Sequence, residues 1–159
     1  MDKKKISKLE KQLRVMKVSK IMSKFAITAT ELTTVPDVAH LMMRFKISGV
    51  PIKNECEQVV GIVTVTDLFE MIDRVSRQME QGKEPTDFTH VAVKEIMTKD
   101  VFSIDEGMSL YDVIRIMRER KIHTLPVLSA EGELVGVVGR RDVINASYSL
   151  SKGSKAKKG

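Results

Sequence analysis

Tryptophan is absent from this chain of 159 residues, and aromatic side chains make up only 4% of it. A core without large rings must be assembled from Val, Ile, Leu and Met, and the ten Met residues are adaptable fillers for it. Cysteine occurs once, at Cys56, in the polar run Asn54-Glu55-Cys56-Glu57-Gln58. A lone Cys makes no internal disulfide and favours a reducing compartment, and this one has no basic neighbour to make it a thiolate, so a loop position is expected. The three histidines, His40, His90 and His123, lie far apart, without metal-ligand spacing. No apolar run approaches the roughly 20 residues that span a bilayer, and the basic N-terminus lacks the apolar centre of a signal sequence. The expectation is a cytoplasmic protein with no membrane segment and no metal site.

Charge is present but concentrated at the ends. The net charge is +6, with Lys3-Lys4-Lys5 opening the chain and Lys152, Lys155, Lys157 and Lys158 closing it. Basic, Gly- and Ser-rich ends solubilise. Their functional alternative, weak salt-sensitive attraction to nucleic acid or anionic lipid, is the less favoured one. The tail has too little apolar surface to bury and is expected to be disordered.

The chain also repeats itself. Val18–Leu68 recurs as Val93–Val143 at a constant offset of 75 without a gap: Ile21-Met22 returns as Ile96-Met97, Pro51 as Pro126, Gly61 as Gly136 and Asp67 as Asp142. Two copies are too few for a solenoid. They suit a pair related by a pseudo-twofold axis.

Each copy spells the same elements. Before the first, residues 2–17 carry Ile6, Leu9, Leu13 and Met16 at helical spacing, an amphipathic helix suited to docking on the domain or on a second subunit. Thr34-Val35-Pro36-Asp37 and Ser109-Leu110-Tyr111-Asp112 are helix starts with a capping residue and an acid three positions on. Val38, Leu41, Met42 and Phe45, and in the second copy Val113, Ile114 and Met117, follow at core spacing, with helix ends expected near Lys46 and Lys121. Val50-Pro51-Ile52 and Leu125-Pro126-Val127 read as short strands. Proline donates no hydrogen bond, so these strands are expected at a sheet edge or beginning at the proline. Val59–Val65 and Leu134–Val138 are β-branched strands running into helices over Asp67–Gln78 and Arg141–Ser149. With a short extended segment at Phe25–Thr30 ahead of the first of these helices, the fold class is mixed α/β, two β-α-β-β-α repeats packed as one module behind an N-terminal helix. The expected organisation is 1–17 for that helix, 18–78 for the first repeat, 79–89 for a linker, 90–149 for the second repeat and 150–159 for the tail.

Gly61-Ile62-Val63-Thr64-Val65-Thr66-Asp67, with Ile47-Ser48-Gly49-Val50-Pro51 and Ile21-Met22-Ser23, resembles the CBS motif, the cystathionine-β-synthase repeat. The second copy shows Ile96-Met97-Thr98, Ile122-His123-Thr124-Leu125-Pro126 and Gly136-Val137-Val138-Gly139-Arg140-Arg141-Asp142. The resemblance covers roughly Val18 to Ser147. It implies a paired module that binds adenosine-containing ligands (AMP, ADP, ATP or S-adenosylmethionine) between the copies and commonly dimerises. The ligand would be regulatory, and no other cofactor is required. In copy one it points to Thr64 and Asp67, and to Thr28 as a wall of the site, with Ser103 its counterpart in copy two.

The chemistry of the residues agrees. Ile47, Val50 and Pro51 suit a slot for a flat base, and backbone at Ser48 and Gly49 suits its polar edge. Asp67 suits ribose hydroxyls. Thr64 and Thr66 offer hydroxyls at a helix N-terminus, which favours anions. The alternative for Thr66-Asp67 and for Asp142 is simple helix capping. In copy two, Ile122, His123, Thr124, Pro126, Arg140, Arg141 and Asp142 take the corresponding places. There Gly139 replaces Thr64, Arg140 and Arg141 replace Val65 and Thr66, and His123-Thr124 replaces Ser48-Gly49. That copy loses a hydroxyl and gains cations suited to phosphate, and two unequal sites are expected.

No Ser-His-Asp set, glycine-rich loop with paired carboxylates or P-loop lysine is recognisable, so no enzymatic activity is expected. The expected function is a stand-alone regulatory module, homodimeric, signalling to a separate effector protein. The alternatives are a ligand-free dimerisation module working through its N-terminal helix, or weak nucleic-acid binding by the basic termini.

Overall fold

The structure, a computed structural model, describes residues 3–153; the end of the basic tail, 154–159, lies outside the described residues. The element order is α1 (Lys3–Val15), β1 (Ala29–Thr30), α2 (Val35–Phe45), β2 (Gly49–Lys53), β3 (Val59–Thr64), α3 (Val65–Glu80), β4 (Ile104–Asp105), α4 (Leu110–Arg120), β5 (Thr124–Leu128), β6 (Leu134–Gly139) and α5 (Arg140–Gly153). Two three-stranded mixed sheets, ordered β1-β2-β3 and β4-β5-β6, carry the repeat. Helix α5 runs through Gly153, so the stretch expected to be disordered begins as helix.

The helix starts follow from their caps. Thr34 Oγ1 accepts the Asp37 N–H at 3.3 Å and its hydroxyl donates to Asp37 Oδ2 at 2.7 Å. Ser109 Oγ accepts the Asp112 N–H at 3.1 Å and donates to Asp112 Oδ2 at 2.7 Å. Each cap contributes about 1 kcal/mol. The helices end at Lys46 and Lys121, both left-handed, with φ of 53° and 55°.

The prolines overturn one expectation. Strands β2 and β5 are the central strands of their sheets, and each proline is the third residue of its strand. Pro51 faces Ile62, and Ile62 exchanges both backbone bonds with Thr98 on its other side, at 3.0 and 2.9 Å. Pro51 therefore stands in a non-hydrogen-bonded pair with β3, and its nitrogen faces the β1 side, where pairing starts only at Ile52. Pro126 repeats this: its partner Val137 exchanges bonds with Ser23 at 3.0 and 2.9 Å. The lost donor costs the ladder nothing in either copy.

The chain divides into two compact units that do not coincide with the sequence repeats. One is Ala26–Phe102; the other joins the described residues up to Phe25 to those from Ser103 onward. The opening turn of each repeat thus lies in the unit built on the other repeat's sheet. In the first unit, Val35 donates to the Val91 carbonyl at 2.9 Å and Val93 to Thr33 at 2.8 Å. In the second, Leu110 donates to Met16 at 2.8 Å and Val18 to Met108 at 2.9 Å, the same bonds 75 residues apart. The cores match as well. Ala29, Val38, Met42, Val50, Ile52, Val63, Val93 and Met97 pack together in the first unit. Ile104, Val113, Met117, Leu125, Val127, Val138 and Val18 are buried in the second. Phe45, expected at a core position, is 46% exposed.

Helix α1 docks on α4 and α5 in its own unit. The Arg14 guanidinium lies 3.8 Å from the Tyr111 ring centre and bonds Glu10 at 2.8 Å. Among the described residues no helix is long and apolar enough to cross a membrane.

Candidate functional site

The residues singled out in copy one all fall in the unit Ala26–Phe102, around the C-terminal end of β3 and the start of α3. Thr28 stands just before β1, half-buried. Ile47 and Ser48 link α2 to β2, with Ile47 half-buried and Ser48 exposed. Gly49 pairs with Thr64 across the sheet, and the Ser48 carbonyl accepts the Val65 N–H at 3.0 Å. That bond pins the loop after α2 to the first residue of α3. Val50 is 0% exposed within the core cluster, so its side chain serves packing rather than the wall of a slot. Pro51, on the opposite pleat, is also buried.

Asp67 is the third residue of α3. Its Oδ2 accepts the Thr64 N–H at 2.6 Å and the Thr64 hydroxyl at 2.7 Å. Among the described residues, Oδ1 receives no hydrogen bond. The cap of α3 is therefore Thr64, not Thr66, which sits exposed in the first turn. The Thr-x-x-Asp pattern matches the one at Thr34 and was readable in the same way. The Thr64 hydroxyl proton is spent on Asp67, which leaves its oxygen an acceptor.

The copy-two residues gather in the other unit, at the end of β6 and the start of α5. Ser103 stands half-buried before β4, Ile122 is half-buried, and His123 is exposed. Thr124 is 6% exposed and pairs with Gly139, and Pro126 is buried beside the core residue Leu125. The His123 carbonyl accepts the Arg140 N–H at 3.1 Å, the counterpart of the Ser48–Val65 bond. Asp142 Oδ2 accepts the Gly139 N–H at 2.8 Å, with no hydroxyl at that position to add a second bond. Its Oδ1 receives none among the described residues. Arg140 and Arg141 open α5 and are exposed.

Both groups have the same build: a half-buried carboxylate fixed through one oxygen at a helix start, with its other oxygen available. They differ in charge, since only the second carries two arginines and a histidine at its rim. No group of three or more His, Cys, Asp or Glu residues that could hold a metal is present among the described residues.

Comparison with known proteins places these features in context. The CBS domain family matches residues 18–74 and again 93–149. An uncharacterized protein of Methanopyrus kandleri is 28% identical over 132 residues, 83% of this chain and 63% of that protein. An inosine-5′-monophosphate dehydrogenase of Methanocaldococcus jannaschii is 26% identical over 130 residues, 82% of this chain and 23% of the enzyme. The chain thus spans less than two thirds of either relative. Among solved structures, the CBS domain pair of protein MJ0100, in complex with 5′-methylthioadenosine and S-adenosyl-L-methionine, is 25% identical. Its TM-score is 0.68, and the match covers 85% of this chain and 98% of that one.

Proposed function

The chain belongs to the CBS-domain family, and from that premise we propose that it is a regulatory module whose two residue groups bind adenosine-containing ligands. The observation that carries this reading is the pair of half-capped carboxylates. Asp67 and Asp142 are each oriented by a bond to Oδ2 and keep Oδ1 for an incoming donor, which suits a ribose hydroxyl. The MJ0100 pair, solved with two adenosine derivatives, supports the same ligand class.

The two groups favour different ligands of that class. His123, Arg140 and Arg141 recommend the second for a phosphorylated nucleotide such as AMP, ADP or ATP. The first, with Thr64, Thr66 and no cation among its residues, suits an uncharged nucleoside thioether or the sulfonium of S-adenosylmethionine. The module has no catalytic role in this reading. It acts as a homodimer in the cytoplasm, where the exposed, unpaired Cys56 stays reduced, and its loaded state is read by a separate effector protein.

Calorimetric titration of the full chain with S-adenosylmethionine, 5′-methylthioadenosine, AMP, ADP and ATP tests this. The expected outcome is two classes of site, with phosphorylated ligands weakened by Arg140→Ala and the sulfonium ligand unaffected by it. Two identical, independent sites would overturn the inequality. No heat with any of the five would overturn the ligand reading.

A further inference from the structure

The cations of this chain are unevenly divided between its two units. Among the described residues, Ala26–Phe102 carries eight Lys and Arg against twelve Asp and Glu, a net charge of −4. The unit that joins residues 3–25 to 103–153 carries sixteen against eight, a net charge of +8. Much of that excess lies on α1, which has six cations against Glu10 alone. In sequence these residues read as a solubilising end. The fold makes them part of an ordered helix docked on α4 and α5, which a solubilising end does not require.

Leu9, Leu13 and Met16 are half-buried on one side of α1, and Lys8 and Lys11 are exposed on the other. Arg14, three residues after Lys11, lies over the Tyr111 ring of α4 at 3.8 Å. Arg115 and Arg118 are four and seven residues after Tyr111, on the same face of α4, and both are exposed. Five cations thus follow one another over two packed helices. Their acidic neighbours are Glu10, Asp112 and Glu119, which pair with Arg14 at 2.8 Å, Arg115 at 3.4 Å and Arg118 at 3.7 Å. Exposed pairs of this kind contribute little, so an anion of higher charge density displaces them. Copy one lacks the array: the positions 75 residues before Tyr111, Arg115 and Arg118 are Pro36, His40 and Met43.

We infer that the α1–α4 face of the second unit is a docking surface for duplex nucleic acid, held by its phosphate backbone. A duplex presents closely spaced charge to the row of cations and releases its counterions on binding, and Arg meets phosphate with two donors. Protein interfaces are depleted of Lys and keep charge away from their centre, the reverse of a face built on Lys8, Lys11, Arg115 and Arg118. A helix that binds lipid sinks its apolar side into the bilayer, whereas α1 docks on α4 and α5 with Leu9, Leu13 and Met16 half-buried. Tyr111, the ring on this face, lies under Arg14 rather than open to a base. Contacts to phosphate alone carry no sequence information, so the surface takes any duplex.

The test is binding of the full chain to fluorescent DNA duplexes of unrelated sequence, followed by anisotropy over a salt series. The expected result is equal affinity for every duplex, falling roughly 500-fold between about 50 and 200 mM salt, as five phosphate contacts require. Two variants on different helices, Lys8→Gln with Lys11→Gln and Arg115→Gln with Arg118→Gln, should each reduce the slope of log affinity against log salt by about two, at unchanged Tm. Lys155→Gln, Lys157→Gln and Lys158→Gln together should leave that slope in place. No binding at low salt, or binding lost in the tail variant and kept in both helix variants, overturns the surface. Polyglutamate bound as tightly as the duplexes, or phosphatidylserine vesicles bound in preference to them, overturns the assignment to nucleic acid. Asp67 and Asp142 are unchanged in all these proteins, so the adenosine reading stands or falls separately.

Discussion

Gly61 and Gly136 hold the opening turns of the repeats against bare Cα atoms. A Cβ at Gly61 would collide with Met97 Sδ, and one at Gly136 would stand 2.6 Å from Met22 Sδ and 2.9 Å from the Ser23 carbonyl. The two clashes differ in kind. Around Gly61 the obstacle is a methionine side chain, which has rotamers to spare although it is buried. At Gly136 part of the obstacle is backbone, and the Ser23 carbonyl is held by the Val137 N–H at 3.0 Å. Overpacking costs typically 1–3 kcal/mol. Gly61→Ala is expected at the low end, about 1 kcal/mol, and Gly136→Ala at the high end, about 3 kcal/mol, by urea denaturation. Met97→Ala should recover part of the Gly61→Ala loss, a coupling a double-mutant cycle reads, whereas Met22→Ala should recover little at Gly136. The repeat showed both glycines, but not what pressed on them, because Met97 lies 36 positions from Gly61 and Met22 114 positions from Gly136.

At the scale of elements, the local signals carried far. Caps at Thr34 and Ser109, the β-α-β-β-α order and the turn at Cys56 were all legible, because each depends on residues a few positions apart. That turn is closed by Asn54 Oδ1, which accepts the N–H groups of Cys56 and Gln58 at 3.0 Å each. Its counterpart is closed by Ser129 Oγ at 3.2 and 3.3 Å. The left-handed residue is Glu57 in one turn and Gly132 in the other. The prolines misled, since an edge position is the general rule. What exempts Pro51 and Pro126 is register: each faces its antiparallel neighbour in a non-hydrogen-bonded pair and turns its nitrogen to the side where β1 or β4 begins to pair only one residue later. The ends of α2 and α4 offer a further test. Lys46 and Lys121 occupy the left-handed position where glycine is the common choice, and a side chain there costs roughly 1 kcal/mol. Lys121→Gly is expected to raise stability by about 0.5–1 kcal/mol, seen as a rise of roughly 1–4 °C in Tm. A fall would show that the lysine side chain contributes more than its backbone costs.

At the scale of the whole molecule, the 75-residue offset is reproduced in the cores, the caps and the backbone bonds, yet the compact units are not the repeats. Each sheet receives the opening turn of the other copy, Ala92–Thr98 in one unit and Lys17–Ser23 in the other. The pattern could not disclose this, since an Ile-Met turn satisfies either sheet equally well in sequence. The site groups were legible for the opposite reason: Thr64–Asp67 and Gly139–Asp142 are local, and their difference is written in the residues themselves. The central claim is that these two carboxylates anchor an adenosine moiety. The most direct measurement is thermal unfolding of the wild type, Asp67→Ala and Asp142→Ala with S-adenosylmethionine, 5′-methylthioadenosine, AMP, ADP and ATP. A ligand at 100 times its Kd adds about 2.7 kcal/mol, roughly 5–10 °C for a chain of this size. The account predicts such a rise in the wild type for at least one of the five, lost in Asp67→Ala for the sulfonium or thioether ligand and in Asp142→Ala for the phosphorylated one. An equal rise in all three proteins, or none in the wild type, would contradict it.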